Sequence, residues 1–169
     1  MFDAPSRCSS RSSVAFRWYG FPAAPTGQDL DVATEAFMIA ISPPGRVWNP
    51  WTSTMVRREF RKRVEAGQRG ELKPVSEVKH VDERNPPPLY EIRWQDIAVT
   101  TVVDGSKTFG EVLVRMYHSE PVGMPSHFIG HHIHEKHVDV ADINGAQDEE
   151  IAIAKKFYDA GEPGNWGIA

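Results

Sequence analysis

Five of the chain's seven histidines, His127, His131, His132, His134 and His137, fall within eleven residues in the stretch HFIGHHIHEKH. A side chain that titrates near neutral pH suits proton transfer or metal ligation and is a poor choice for an apolar core. Read as a strand, the stretch sets Phe128, Gly130, His132, His134 and Lys136 on one face, and Ile129, His131, Ile133 and Glu135 on the other. The same alternation in LVRMYH groups Leu113, Arg115 and Tyr117 against Val112, Val114, Met116 and His118; in LYEIRW it sets Glu91 and Arg93 opposite Tyr90, Ile92 and Trp94. A meander of the three segments then has a polar face of Arg93, Arg115, Tyr117, His132, His134 and Lys136. Cations that grip a phosphate, an imidazole and a tyrosine hydroxyl are the parts needed to cleave RNA without a metal. In that chemistry a base takes the ribose 2′-hydroxyl proton, the hydroxyl attacks the adjacent phosphorus in line, and an acid protonates the departing 5′-oxygen. A second chemistry is open to the same stretch: His132, His134 and His137 as neutral ligands to zinc or iron. His80 and His118 read as structural.

The elements that must position these residues follow from pattern. Leu89 to Val103, Glu111 to His118 and Phe128 to His134 read as three strands, the first two joined by DGSKTFG with its Asp104-Gly105 hairpin signal. Their apolar face, with Tyr90, Ile92, Trp94, Val112, Val114 and Met116, is expected to lie under a final helix. That helix has Asn144 as cap, Gln147 three residues on, an apolar face of Ile151, Ala154 and Tyr158, and Gly161 as its stop. Thr34 to Ser42, TEAFMIAIS, has the length and apolar density of a buried first strand. A helix follows from Thr52 or Ser53 to Gly67, with Val56, Phe60 and Val64 on its apolar row. Its other faces carry Arg57, Arg58, Arg61 and Lys62, a solvated surface or a phosphate-contacting one. Asn85 to Pro88 is a stiff proline connection. Residues 1–13, rich in Ser and Arg, read as a mobile leader, and Val14 to Phe21, VAFRWYGF, as a strand or a segment packed onto the core. This gives an N-terminal extension over 1–33 that is partly mobile, a main domain over 34–161 and a tail over 162–169 that Trp166 pins.

With 169 residues, 40% of them hydrophobic and 25% charged, the chain suits one core. No run approaches the length a membrane span needs, and the expectation is a soluble, cytoplasmic protein with no membrane partner. The single cysteine, Cys8, excludes an intramolecular disulfide and reads as lacking partners for a cysteine-based metal site. The net charge of −4 weighs against a general nucleic-acid binder, yet it hides a gradient. Residues 51–93 carry ten Lys or Arg against seven acids, and residues 138–169 carry two against seven.

The succession of a basic helix, LYEIRW, a strand with VRMY, a His-rich strand and QDEEIAIAKKFYDAG resembles the RelE/HigB superfamily of bacterial toxins, above all its phage-derived HigB-type branch. The branch's Leu-aromatic-Glu-Leu-Arg pattern is matched by Leu89 to Arg93, and its Glu-Ile-x-x-Ala-Lys pattern by Glu150 to Lys155. The resemblance spans roughly residues 54–160 and implies an α+β fold, a RelE-like antiparallel sheet flanked by helices with a C-terminal helix packed on it. It also implies a helical hairpin ahead of the second strand, of which the sequence shows one helix. The implied function is the toxin of a type II toxin–antitoxin system. Such a toxin is a ribosome-dependent mRNA endoribonuclease that needs no cofactor and is held inactive by a cognate helix-turn-helix antitoxin. Arg93 and Arg115 fall where the family keeps basic catalytic or phosphate-binding residues; His134, Lys136 and His137 fall where it has Lys, His or Arg. Two other classes stay open: a metal-dependent enzyme built on His127 to His137, and a non-catalytic binding protein on the same scaffold.

Overall fold

A computed structural model of the chain describes residues 5–81 and 86–169. After a 3-10 turn over Arg7–Ser9 come β1 (Ala15–Trp18), α1 (Asp29–Ala40), β2 (Arg46–Val47), α2 (Pro50–Gln68) and β3 (Val78–Val81). The meander β4 (Leu89–Val103), β5 (Ser106–Ser119) and β6 (His127–Lys136) follows, then α3 (Ile143–Gly161) and a closing 3-10 segment, Glu162–Gly167. The fold is α+β, with three helices around a six-stranded, mostly antiparallel sheet in the order β1-β6-β5-β4-β2, and β3 also paired to β4. Only β1 to β6 is parallel. No helix among the described residues is long and apolar enough to cross a membrane.

Local chemistry accounts for the main elements. The β4–β5 turn places Asp104 and Gly105 at φ of 51° and 78°, both on the positive side that a two-residue hairpin with matching twist requires. Helix α2 begins at Asn49, whose side chain accepts from the Thr52 amide while the Thr52 hydroxyl accepts from the Asn49 amide, with Pro50 in the first turn. Its start is thus a few residues earlier than Thr52 or Ser53.

The apolar run TEAFMIAIS is helical, not a strand. Ala33, Phe37 and Ile41, four residues apart, are each fully buried, while Ile39 is exposed. That is the spacing of one helix face. The acids that favour the helix start, Asp29 and Asp31, lie upstream of the run. The helix therefore straddles the expected boundary at residue 34. Helices α1 and α2 run antiparallel, Arg57 pairing with Glu35 and Arg61 with Asp31. Between them and the sheet Phe37 stacks on Phe60 at 4.7 Å, and Phe60 on Trp94 at 5.0 Å.

This pair, not the last helix, covers the apolar face of Tyr90, Ile92, Trp94, Val114 and Met116. Helix α3 takes the opposite face, where Ile151 and Ala154 pack with Val81, Leu89 and Tyr117. One helix was expected for one apolar face; the second helix of the hairpin fills that place and leaves α3 the other side. Its cap is Asp142, whose side chain accepts from the Gly145 amide, so Asn144 lies inside the helix.

The expected extension contributes to the core. Trp18 of β1 and Cys8 are buried, and the Arg7 guanidinium donates to the carbonyls of Pro121, Met124 and His127. Gly130 of β6 leaves room for β1: a Cβ there would stand 3.0 Å from the rings of both Phe16 and Trp18. Trp166 is buried against Tyr158 at 5.0 Å and its carbonyl accepts from Arg17, so the C-terminal residues are held as expected. Of the proline connection, Asn85 lies outside the described residues, as do residues 1–4 of the leader.

Candidate functional site

The register of the meander builds the site. Arg93 of β4, Arg115 of β5 and His134 of β6 stand opposite one another across three strands. One step along, Lys79, Glu91, Tyr117 and His132 form the next row, from β3 to β6. Lys136 pairs with Leu113 at the other end. Five of the expected residues, with Lys136 beside them, therefore share one face as strand parity requires. His137 lies just past the end of β6 and is exposed.

The interior of this face is a charged cluster. Glu91, 1% exposed, accepts from Arg93 Nε at 2.6 Å and lies 3.8 Å from Arg115 Nε and 4.0 Å from Lys79 Nζ. One carboxylate thus serves Lys79, Arg93 and Arg115, with Lys136 close enough for its charge to be felt by them. Burial, then the charges of Arg115, Arg93 and Lys79, lowers the Lys136 pKa against the opposing pull of Glu91. Arg115 donates to the carbonyls of Val114 and Trp94 through Nη1. Its Nε and Glu91 Oε2 are buried without a hydrogen-bond partner among the described residues. Such a cluster, cationic and partly unsatisfied, is costly unless something else pairs with it.

Next to the cluster, His134 bridges Tyr117 and its own strand. Nδ1 lies 3.3 Å from the Glu135 carbonyl, which can only accept, so Nδ1 carries the proton; Nε2 then accepts from the Tyr117 hydroxyl at 3.1 Å. Burial pushes the His134 pKa down to about 4 despite the attraction of Glu150, leaving a neutral imidazole at neutral pH. Burial, then Glu91 and Glu150, raises that of Tyr117, which stays a phenol. His132 stacks on His134 with centroids 5.9 Å apart, and its Nε2 meets the carboxylate of Glu150 on α3. That contact, helped by the charges of the nearby histidines and against the opposing effect of burial, holds Glu150 below the usual carboxylate range.

Helix α3 thereby lies over part of the site. Tyr117 is fully buried, and Arg115 and His134 nearly so. Arg93, Lys79 and Lys136 remain partly open. A cleft of about 300 Å³ opens beside them, lined by Lys79, His80 and Val81 of β3 with Asn144, Gln147 and Asp148 of α3.

The remaining candidates are elsewhere. Arg57 and Arg61 are tied to acids of α1, while Arg58 and Lys62 are exposed on α2, behind the opposite face of the sheet. They cannot line the same pocket as His134. The alternative metal set is not gathered: His132 and His134 spend their contacts on Glu150, Tyr117 and the Glu135 carbonyl, and His137 projects beyond the strand. His131 does not face away as parity requires. The register shift between Tyr117 and His118 turns it to the side of α3, where its ring meets Tyr158 edge-on at 5.8 Å while it donates to the Tyr19 carbonyl and accepts from Ser119. Phe128 and Gly130 turn instead to the side of Met116.

Of the acids in the site, Glu91 was legible as a partner of Arg93, since alternation puts the two side by side, and they do pair. Glu150 was not, because the pattern of α3 says which side is apolar but not which sheet face receives it.

No family model, no curated protein and no solved structure matches the chain.

Proposed function

We propose that this chain is an RNA-cleaving toxin of the RelE/HigB type, the toxin half of a type II toxin–antitoxin pair, acting in the cytoplasm on mRNA at the ribosome. The observation that carries the reading is the in-register row Arg93–Arg115–His134 with the Tyr117 hydroxyl bonded to His134. The order of a helical hairpin, an antiparallel meander and a final helix supports it, since the resemblance implies that order. In this reading Arg93 and Arg115 grip the scissile phosphate and offset the charge of the pentavalent intermediate. The 2′-hydroxyl proton passes to the Tyr117 oxygen as the Tyr117 proton moves to His134 Nε2, and Lys136 protonates the departing 5′-oxygen. The Lys136 ammonium, its pKa lowered, gives up that proton more readily than an ordinary lysine would. Since Tyr117 is buried beneath α3, RNA reaches it only when that helix swings off the face.

The same burial favours a second reading, a non-catalytic binder that holds a phosphate at Arg93, Lys79 and Lys136 and leaves Tyr117 as packing. Expression in a bacterium without a neighbouring antitoxin separates the two. The toxin reading expects growth arrest and cut mRNA, with cleavage by purified protein on ribosomes falling at least ~100-fold in Tyr117→Phe and His134→Ala and unchanged in Arg58→Ala. Intact RNA and normal growth, with RNA binding that weakens on adding salt and in Arg93→Ala, would leave only the binder.

A further inference from the structure

We propose that Cys8, His118 and Glu120 form a binding site for one soft divalent cation of the zinc type, tying the N-terminal segment to the end of β5. Among the described residues this is the one group of three His, Cys, Asp or Glu side chains whose ligand atoms lie within 4.8 Å of one another. Cys8 Sγ stands 3.8 Å from His118 Nε2, and His118 Nε2 stands 3.0 Å from Glu120 Oε1. Ligands about 2.0–2.3 Å from a tetrahedral zinc are separated by roughly 3.3–3.6 Å, so the two His118 separations bracket what an ion requires, and the three ligand atoms lie within 4.8 Å of one another.

The donor set suits such an ion, combining a sulfur, an imidazole nitrogen and a carboxylate oxygen. Among the described residues all polar contacts of the His118 ring run through Nε2, and its Nδ1 is buried without a partner. One nitrogen therefore faces two groups that can each carry negative charge.

The surroundings hold each ligand in place. The His118 ring is stacked on Tyr90 at 5.4 Å and met edge-on by Phe128 at 5.4 Å. Glu120 accepts from the Ser6 hydroxyl at 2.5 Å and from the Arg7 amide at 2.8 Å, and the Cys8 amide donates to Ser6 Oγ. Outer contacts of this kind orient metal ligands. Burial works against the ionised Glu120, yet His118, Arg7 and Ser6 outweigh it and keep it a carboxylate. Burial, with Glu120, keeps the Cys8 thiol protonated while the site is empty.

Binding therefore displaces the thiol proton to solvent, and the imidazole proton, which faces Glu120 from Nε2 in the empty site, moves to Nδ1 so that Nε2 can hold the ion. Ser6 Oγ or a water completes four-coordination. Entry is from a cavity of about 390 Å³ that Glu120 lines together with Ser119, Pro121, Tyr158 and Trp166.

Cobalt(II) added to the metal-stripped full chain tests the site. Because Cys8 is the chain's one cysteine, thiolate-to-cobalt charge-transfer absorption can arise from nowhere else. The expected result is that band, with the strong visible bands of four-coordinate cobalt, saturating at about one ion per chain. Saturating zinc should remove both and raise the unfolding midpoint by roughly 5–10 °C. Cys8→Ser should lose the charge-transfer band, and Glu120→Gln should weaken cobalt at least tenfold. His132→Ala and His134→Ala should change neither. No charge-transfer band in the wild-type chain would overturn the proposal without appeal to any variant. So would cobalt that binds undiminished to a folded Cys8→Ser chain and is lost in His134→Ala.

Discussion

Burial decides the behaviour of the histidines more than their number does. His131 is fully buried, with both ring nitrogens satisfied, and burial pushes its pKa down to about 3, against about 4 for His134. Above pH 6.5 both residues are neutral whether the chain is folded or not, so they add no pH dependence. Below 6.5 the unfolded chain takes up protons that the folded chain refuses, and stability falls as pH drops toward 4. Each group contributes a slope of about 1.4 kcal/mol per pH unit in that window. Glu150 adds in the same direction below its unfolded pKa, since its folded value is depressed. Urea midpoints measured from pH 7 to 4.5 should therefore fall steeply below 6.5, and His131→Gln should flatten the fall. A midpoint flat across that range would show that the imidazoles are not held neutral. On the apolar side, Phe60→Ala removes a fully buried ring stacked between Phe37 and Trp94. It should cost about 3–5 kcal/mol and lower the thermal midpoint by ~10 °C.

Among the elements, the helix starts and the hairpin can be tested one residue at a time. Asn49→Ala deletes the cap of α2 and should cost about 1 kcal/mol, measured by denaturant unfolding. Losing the His132 partner through Glu150→Gln should cost under about 1 kcal/mol, because both side chains are partly exposed. The same change should speed amide exchange along α3 if this pair holds the helix over Tyr117. The meander was legible because its strands are long, alternate cleanly and meet at Asp104-Gly105. Helix α1 was not, since an apolar run of that length fits a strand or a buried helix equally, and only its upstream acids distinguish them. The polar face followed from parity alone, whereas its cover depended on which side α3 chose.

For the whole molecule, contacts far apart in sequence carry most of what the sequence concealed. The four residues of β1 find their partner more than 110 positions later, at His127 to Gly130. Cys8 meets His118 across 110 residues. No local pattern announces either partner: the aromatic stretch Val14 to Phe21 was legible as a strand or core segment, whereas Cys8 lies in what read as a leader. Removing residues 1–18 should leave β6 as an open edge and strip Trp18 from its slot against Gly130. Light scattering of the truncated chain should show association where the full chain shows none, because an unpaired strand recruits other chains.

The parallel pairing of β1 with β6 also has a meaning in time. During synthesis β1 leaves the ribosome early, while the strand that receives it is not made until residues 127–136. Through that interval Phe16 and Trp18 lack their sheet partner, and β1 has only its contacts with the helices, such as the Arg17–Asp29 pair and the Asp29 carboxylate on the Trp18 amide. Helices α1 and α2 can associate with each other meanwhile, but the layer they cover does not exist until the meander is complete. The sheet therefore closes late, like a clasp whose two halves are made far apart on a production line, and the edge of β1 waits for β6.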